Sequence, residues 1–353
     1  MKGKYKLMKA IHFVQPEKIK VVDIPIPEIK ADEVLCKVNY AGICGTDLDL
    51  LTGNMIHIKT GMTKYPIVPG HEWSGTIVKV GSEVKNFIEG ERVTADVSLG
   101  CGKCEYCRRG QYNLCPNREV IGSYRNRQGC FAEYIAVPER HLYKVPEGVS
   151  DQEAALVEPA GTAAYAVKRA RIPMGATVMV IGDGPIGLLA AQLARLAGAA
   201  RVIVAGSWDE KLEIAKKTGA FATINYHREN IAESAIKLND GVGPDVVIAA
   251  SGNQSAFHSA IEAVKPGGRI VLISWYADAE VPAPLNGIIV KDLDLVCCLA
   301  SPNTFQTVLN YMDAGALDAK SLITHIVPLE KMEEMVAMMR AKKECRIKIL
   351  LKP

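Results

Sequence analysis

Four cysteines within one fifteen-residue segment form the densest group of metal-binding side chains in the sequence, at the spacing C-x-x-C-x-x-C-x7-C: Cys101, Cys104, Cys107 and Cys115. Thiolates at this spacing can turn back on one zinc ion, and four protein ligands leave no coordination position for a substrate. Two disulfides or free thiols are the alternative. Cysteines this close cannot all form relaxed bridges, however, and nothing else in the sequence indicates an oxidising compartment. The segment therefore predicts a structural zinc site.

A second group of metal-binding residue types is spread along the chain. Cys44 lies in AGICGTDL, at a turn after a strand, and His71 with Glu72 lies in PGHEWSG, after a Pro-Gly turn. Glu158, in ALVEPAGTA, could add a further ligand. An isolated cysteine or histidine is more often a core residue, but Cys, His and carboxylate around one ion, with water completing the shell, is typical of catalytic zinc. The combination predicts an open metal site.

The segment TVMVIGDGPIGLLAAQLARLAGA contains the pattern G-x-G-x-x-G. The pattern alone is weak in a chain with 30 glycines, but here it follows a strand of buried type and opens an amphipathic helix. Such glycines allow a tight turn and close approach of the backbone to a pyrophosphate, which the helix N-terminus stabilises. A glycine-rich turn without a ligand is the alternative. We expect a dinucleotide to contact this turn, at Gly182, Gly184, Pro185, Ile186 and Gly187.

The choice of dinucleotide depends on the end of the next strand, RVIVAG, where an acid commonly hydrogen-bonds the adenosine ribose. Gly206 stands there, so the repulsion of a 2′-phosphate is missing. Ser207, Tyr226 and Arg228 could supply hydroxyl, stacking and cationic contacts, which favours NADP over NAD. Ser207 and Glu210 also form the capping pattern S-x-x-E, which explains both residues without a phosphate.

The elements that hold these motifs differ along the chain. Short β segments separated by Gly and Pro fill the first part, and from about 175 to 300 short apolar runs alternate with helical periodicity, which builds a parallel sheet with crossover helices. The later residues are predicted to return to the first domain. The predicted domains are therefore 1–158, with a zinc lobe at about 98–118, then a nucleotide domain at 159–299, then 300–353. The fold class is α/β, a doubly wound parallel sheet plus a β-rich domain.

Charge and hydropathy exclude several classes of partner. The chain has 353 residues with 42 basic and 39 acidic side chains, a net charge of +3, and the basic residues are not in blocks. We therefore expect no nucleic-acid partner. No segment approaches the roughly 20 consecutive apolar residues of a membrane span, and the N-terminus does not read as a secretory signal. A cytoplasmic location without a membrane partner is the expectation.

Several motifs together resemble those of the zinc-dependent medium-chain alcohol dehydrogenases. They are GICGT, GHEWSG, the four-cysteine loop, Glu158-Pro159 and GDGPIG, in the family's order and over essentially the whole chain. Because Glu158 stands where other branches have cysteine, the sequence looks most like the polyol branch. The resemblance implies a chaperonin-10-like (GroES-like) catalytic domain, a Rossmann domain, an active cleft between them, and a homo-oligomer, either tetramer or dimer.

The resemblance also implies residue roles. Cys44, His71 and Glu158 would hold the catalytic zinc, with Glu72 as a direct ligand or a close neighbour, which with the cysteine loop makes two zinc ions per subunit. Thr46 would take the hydroxyl proton of the substrate. Many relatives have histidine at the position of Asp49, so Asp49 or water would finish the proton path here.

The substrate is not specified by any motif. A secondary alcohol of a polyol, sugar alcohol or cyclitol, or the matching ketone, is our first choice, because the carboxylate-rich metal site resembles that branch. A β-hydroxy amino acid such as threonine is the second, and a non-catalytic, zinc-stabilised NADP-binding protein is the third. The remaining cysteines are interpreted as buried small apolar residues: Cys36, Cys130, Cys297, Cys298 and Cys345.

Overall fold

The computed structural model describes residues 6–276 and 280–353. Its strands in that part of the chain are β1 (Leu7–Gln15), β2 (Lys18–Pro25), β3 (Glu33–Gly42), β4 (Glu72–Val80), β5 (Arg92–Ala95), β6 (Ser98–Leu99), β7 (Glu119–Val120), β8 (Tyr134–Pro138), β9 (Leu142–Lys144), β10 (Thr177–Ile181), β11 (Arg201–Gly206), β12 (Ala222–Asn225), β13 (Val246–Ala249), β14 (Arg269–Leu272), β15 (Asp294–Cys297), β16 (Ile323–Pro328) and β17 (Lys348–Lys352).

The helices of the same residues are α1 (Gly45–Thr52), α2 (Ile56–Lys59), α3 (Glu105–Arg108), α4 (Asp151–Ala154), α5 (Val157–Ala170), α6 (Pro185–Leu196), α7 (Asp209–Lys217), α8 (Ile231–Leu238), α9 (Gln254–Ala263), α10 (Leu285–Val290), α11 (Phe305–Asp313) and α12 (Met332–Ala341). Short 3₁₀ turns occupy Tyr112–Leu114, Glu139–His141, Lys320–Leu322 and Leu329–Lys331. No described helix is long and apolar enough to cross a bilayer.

The chain divides into two units. The first contains residues up to Glu158 together with Phe305–Ala314 and Ile323–Pro353, and the second contains Pro159–Thr304 and Gly315–Leu322. The predicted return at residue 300 therefore differs from the structure, in which 300–304 and 315–322 belong to the second unit. The chain enters the first unit twice, once as α11 and again at β16, and a single boundary read from composition misses this.

The first unit is built on a seven-stranded sheet in the order β16-β17-β3-β4-β5-β9, in which β8 also pairs with β3. Strand β3 lies antiparallel to β4, with Gly42 opposite Glu72. The end of β3 and the start of β4 therefore meet at one end of the sheet. Strand β17 adds Leu350 opposite Gly42, so Lys348 from the C-terminal segment reaches the same place.

A large apolar core fixes this sheet end. The fully buried side chains include Trp73 on β4 and the aromatic rings of Phe13 and Phe131. Because burying such a side chain contributes about 1.5–3 kcal/mol, a shift of β3 against β4 would expose several of them at once. The register that brings the polar residues together is thus held by apolar packing behind them.

The second unit is a six-stranded parallel sheet in the order β12-β11-β10-β13-β14-β15. The strand order reverses between β10 and β13, which is where α/β sheets of this kind bind ligands. The predicted α/β fold class is confirmed. Strand β12 was not predicted, because ATIN is too short and too polar to show a clear period.

The interpretation of the remaining cysteines as buried holds for Cys36 and Cys130 only. Cys297 is exposed, and Cys298 and Cys345 are partly accessible. Cys297 lies on β15, an outer strand of the sheet. An apolar run such as LDLVCC does not reveal whether a second strand covers it.

Candidate active site

His71 and Glu72 follow a turn that only glycine can make without strain. Gly70 has a φ of +91°, and a Cβ atom at this position would run into the ring of Phe131. The turn delivers His71, which is 7% exposed, and Glu72, which is 1% exposed, into the interior at the start of β4. Gly42 is required for a second reason, since a Cβ there would overlap the Glu72 carboxylate.

Cys44 lies just before α1, and Asp47 in the first turn of that helix holds the surrounding loops. The Cys44 amide donates to Asp47 Oδ2 at 2.9 Å, and the Gly70 amide donates to Oδ1 at 3.2 Å. His71 Nδ1 lies 3.6 Å from the same Oδ1. A carboxylate beside one ring nitrogen orients the imidazole and leaves its other nitrogen for a metal. Asp47 was not predicted from the sequence, although it stands only three residues after Cys44.

The ligand atoms of Cys44, His71 and Glu72 all lie within 4.8 Å of one another. Glu158 is not part of that 4.8 Å group, although it is buried nearby at 8% exposure and its charge acts on His71 and Glu72. The structure thus brings together three of the four residues that the sequence predicted for the open site.

A buried cation, Lys348, completes the cluster. Its Nζ lies 2.5 Å from Glu72 Oε2 and donates to the carbonyl of Ile43 at 3.1 Å, and Lys348 and Glu72 are 2% and 1% exposed. Glu72 is therefore already committed to a buried ion pair with Lys348, and the carboxylate beside the His71 imidazole is that of Asp47. The sequence offered no signal for Lys348, because only the pairing of β17 with β3 places it here.

The charges of this interior favour a further cation. Burial lowers the pKa of His71, but the Asp47 carboxylate and the Cys44 thiol outweigh it, and the pKa ends well above its usual value. Burial raises the pKa of Glu158 to about 7, opposed by His71. Three buried carboxyl groups and one thiol thus surround two basic groups. A divalent ion fits that donor set, since thiolate, imidazole and carboxylate are all zinc ligands.

Two further predicted residues lie on α1. Thr46 is half-buried in the first turn, and Asp49 is exposed one turn later. Among the described residues, Asp49 accepts a hydrogen bond only through its backbone carbonyl, from Thr52 Oγ1 at 2.8 Å. Both residues follow Cys44 closely in the sequence. The hydrogen bonds and ion pairs of the described residues include none between the Asp49 side chain and the cluster.

The four cysteines of the loop converge separately. Their sulfur atoms lie within 4.8 Å of one another, with Cys101 4.0 Å from Cys107 and Cys104 3.7 Å from Cys115. These separations are far longer than the roughly 2.05 Å of a disulfide, and none of the four is bridged. Backbone amides of Lys103 and Cys104 lower the pKa of Cys101 to about 6, which favours the thiolate that metals bind.

The glycine pattern lies between β10 and α6, as predicted. Gly182 has a φ of +130°, and a Cβ at Gly187 would overlap the carbonyl of Gly182, so the turn needs both glycines. Pro185 is the first residue of α6, where its missing N–H costs nothing. A cavity of about 350 Å³ opens beside this turn, lined by Ile181, Gly182, Asp183, Tyr226, Ser251 and Asn253.

Two of the residues proposed to select the dinucleotide, Ser207 and Arg228, already have partners within the protein. Gly206 is the last residue of β11. Arg228 forms an ion pair with Asp209, and Tyr226 is 45% exposed beside the cavity. Ser207 does not cap α7, whose N-cap is Trp208 without a side-chain bond, so the S-x-x-E alternative is wrong. The hydroxyl of Ser207 instead donates to Asp183 at 3.2 Å.

Comparison with known proteins places these features in context. Residues 30–147 match the family described as alcohol dehydrogenase GroES-like domain, and residues 185–314 match zinc-binding dehydrogenase. Sorbitol dehydrogenase of Bacillus subtilis (strain 168) is 34% identical over 98% of this chain and 97% of its own. L-threonine 3-dehydrogenase of Pyrococcus abyssi is 34% identical over 94% and 95%. A protein from Sinorhizobium meliloti 1021, solved bound to NADP, superposes with a TM-score of 0.90 at 31% identity, covering 99% of this chain and 100% of its own.

Proposed function

Since this chain belongs to the zinc-dependent medium-chain alcohol dehydrogenases, within their polyol dehydrogenase branch, we propose that it oxidises a secondary alcohol of a polyol, sugar alcohol or cyclitol with a nicotinamide dinucleotide. The reaction removes a hydride and a proton from the alcohol and leaves a ketone. The observation that carries the proposal is the buried group of Cys44, His71 and Glu72 within 4.8 Å.

A zinc ion in that group would act as a Lewis acid and lower the pKa of an alcohol hydroxyl held there. Cys44 and His71 would hold it, and Glu158 would complete the protein ligands. We assign Glu72 to the neighbouring shell, because its pairing with Lys348 at 2.5 Å already satisfies the carboxylate. Asp47 orients His71 through Nδ1.

The proton of the substrate hydroxyl needs a path out of a site whose metal-binding side chains are largely buried. We assign the first transfer to Thr46, two residues after Cys44 in the first turn of α1. Asp49 is exposed and can pass a proton to water. Both roles depend on a hydroxyl or carboxylate within reach of the proton that it moves.

A second zinc per subunit is proposed in the loop of Cys101, Cys104, Cys107 and Cys115. Four converging thiols without a disulfide support this assignment. An ion with four protein ligands has no position for substrate, so its role is to order the loop.

The preference for NADP stays a prediction from the sequence. Its support is that Gly206 brings no carboxylate to the end of β11 and that the Ser207 hydroxyl lies beside it. The ion pair of Arg228 with Asp209 weakens one cationic contact on which the prediction relied.

A homo-oligomer, tetramer or dimer, is also proposed. Its support is a group of exposed apolar side chains on α10, where Leu285, Ile289 and Val290 are 64%, 73% and 84% exposed. Large exposed apolar groups of this kind commonly mark an interface. The cytoplasmic location stays a prediction.

The test is a panel of polyols, cyclitols and amino alcohols with NAD and with NADP, read as absorbance at 340 nm, together with zinc analysis of the purified protein. We expect turnover of at least one polyol and about two zinc ions per subunit. About one zinc and no turnover would instead indicate a non-catalytic protein. L-threonine is included as a second candidate, because a relative named L-threonine 3-dehydrogenase is as similar as the sorbitol dehydrogenase.

A further inference from the structure

The first variable residue of the glycine pattern, Asp183, reaches across to the next strand. Its Oδ2 accepts the Ser207 amide at 2.7 Å, the Ser207 hydroxyl at 3.2 Å and the Trp208 amide at 3.0 Å. Three donors on one oxygen fix the position of the carboxylate. It therefore lies at the start of the loop that follows β11, where the acid that reads an adenosine ribose commonly stands.

The missing side chain of Gly206 makes room for this carboxylate. A Cβ at Gly206 would lie 2.6 Å from Asp183 Cβ and 2.7 Å from Asp183 Oδ2, closer than real atoms approach. Gly206 and Asp183 are thus complementary. The negative charge that β11 lacks at its end is supplied from the glycine turn.

The charge of Asp183 is available to a ligand. Asp183 lines the cavity of about 350 Å³ beside the glycine turn and is only half-buried. Across the described residues, all hydrogen bonds of its carboxylate go to Oδ2, and no cation pairs with it. Arg228, the cation that the sequence analysis proposed for the cofactor, is instead paired with Asp209. Oδ1 can therefore accept hydrogen bonds from a ligand in the cavity.

We propose that Asp183 is a specificity-determining residue that accepts the ribose hydroxyl groups of the adenosine half and repels a 2′-phosphate. The proposal rests on the proposed dinucleotide function. A carboxylate attracts hydroxyl donors, whereas two anions at hydrogen-bond distance repel strongly in a partly desolvated cavity. Asp183 thus acts against the NADP preference predicted from Gly206, and the ratio of the two affinities reports the balance.

The experiment measures binding of two fragments by calorimetry, adenosine 5′-monophosphate and adenosine 2′,5′-bisphosphate, which differ only in the 2′-phosphate. Asp183→Asn keeps an oxygen for the three donors and removes the charge. We expect the affinity for the bisphosphate, divided by the affinity for the monophosphate, to rise by about tenfold in this variant. Raising the salt concentration should increase the ratio in the natural protein and change it less in the variant.

Asp240→Asn is the matched control. Asp240 is 83% exposed and pairs with Arg201 at 3.0 Å. Arg201 is the first residue of β11, so this pair lies at the opposite end of that strand from Gly206. It carries the same charge change without a contact to the cavity, so the ratio should stay the same. Asp183→Ser provides a second variant if Asp183→Asn melts early.

The outcomes separate the two levels of the proposal. An unchanged ratio in folded Asp183→Asn and Asp183→Ser, with both fragments bound, would refute the role of Asp183 and leave the dinucleotide site standing. A ratio that changes equally in Asp240→Asn would also refute it, since a general field would then be the cause. Failure of the natural protein to bind either fragment or either nicotinamide dinucleotide would overturn the dinucleotide site and this inference with it.

Discussion

The two cysteine-containing clusters of the first unit differ in how they are assembled. The four thiols of the loop come from fifteen consecutive residues, three of them at least partly accessible, and they need little beyond their own turns. The mixed cluster draws Cys44 from the end of β3 and His71 and Glu72 from the start of β4, and it includes the buried partners Asp47 and Lys348. A locally built cluster should therefore affect stability, and a cluster built by sheet register should affect chemistry.

The sharpest test of this difference is His71→Ala. Loss of the imidazole removes a proposed zinc ligand and leaves the buried acidic groups of the cluster with less positive charge, so we expect kcat to fall by at least about 10³-fold. Binding of nucleotide, whose proposed contacts lie in the second unit, should be unchanged by calorimetry. His325→Ala, a partly exposed histidine of the same unit, serves as control and should keep activity. Retained turnover in His71→Ala would remove the cluster from the mechanism.

The second prediction concerns the contribution of the buried Lys348–Glu72 ion pair to stability. Lys348→Met leaves an unpaired buried carboxylate, which should lower the free energy of unfolding by about 3–5 kcal/mol in denaturant titration. The double variant Lys348→Met/Glu72→Gln should lose much less than the sum of the two single changes.

The control for this pair is Lys9→Met. Lys9 pairs with Glu330 at 3.1 Å on the surface, with side chains 56% and 48% exposed, and such a pair contributes about 0–1 kcal/mol. Equal losses for Lys348→Met and Lys9→Met would contradict the view that the mixed cluster is held by a buried charge.

The cysteine loop should respond in the opposite way from His71. We expect Cys104→Ser to remove one of the two proposed zinc ions and to lower the melting temperature, because metal binding contributes directly to the folding of such loops. Zinc analysis and calorimetry measure both effects. Cys297→Ser, at an exposed cysteine of the second unit, should change neither. A normal zinc content and melting temperature in Cys104→Ser would exclude the structural role.

The same contrast explains what the sequence could predict. The thiol cluster is readable from spacing alone, because neighbouring residues must lie close in space. Cys44 and His71 were readable from short motifs, but Lys348 was not, since it arrives more than 300 residues after Ile43 through the register of β17. Asp183 was not predicted, because it is a variable position of the glycine pattern and only the pairing of β10 with β11 places it beside Gly206. The fit between Gly206, which has no side chain, and Asp183, which lies 23 residues earlier, leaves no pattern in a single sequence.

A smaller effect tests whether the cysteine loop is as self-contained as its spacing suggests. Tyr112, between the third and fourth cysteines, donates its hydroxyl to Asp96 Oδ2 at 2.7 Å, and Ser98 donates its amide to Oδ1 at 2.9 Å. Burial raises the pKa of Asp96 to about 7, and these two hydrogen bonds oppose that rise. The loop is thereby tied to the residue that follows β5.

Tyr112→Phe should destabilise the protein by about 1 kcal/mol below pH 6, where Asp96 is protonated, and by about 2 kcal/mol at pH 8, where the lost bond was to a charge. The sign follows from linkage: the Tyr112 hydroxyl lowers the folded pKa of Asp96, so its loss raises that pKa further above the unfolded value. The stability of the variant should therefore fall more than that of the natural protein as pH rises from about 4 through the folded pKa. Urea titrations at pH 5.5 and 8 measure the difference, with Tyr106→Phe, an exposed tyrosine, as control. A loss of stability that is independent of pH would mean that the hydrogen bond to Asp96 is not its cause. A loss of zinc in Tyr112→Phe would mean that the zinc site depends on contacts outside the four thiols.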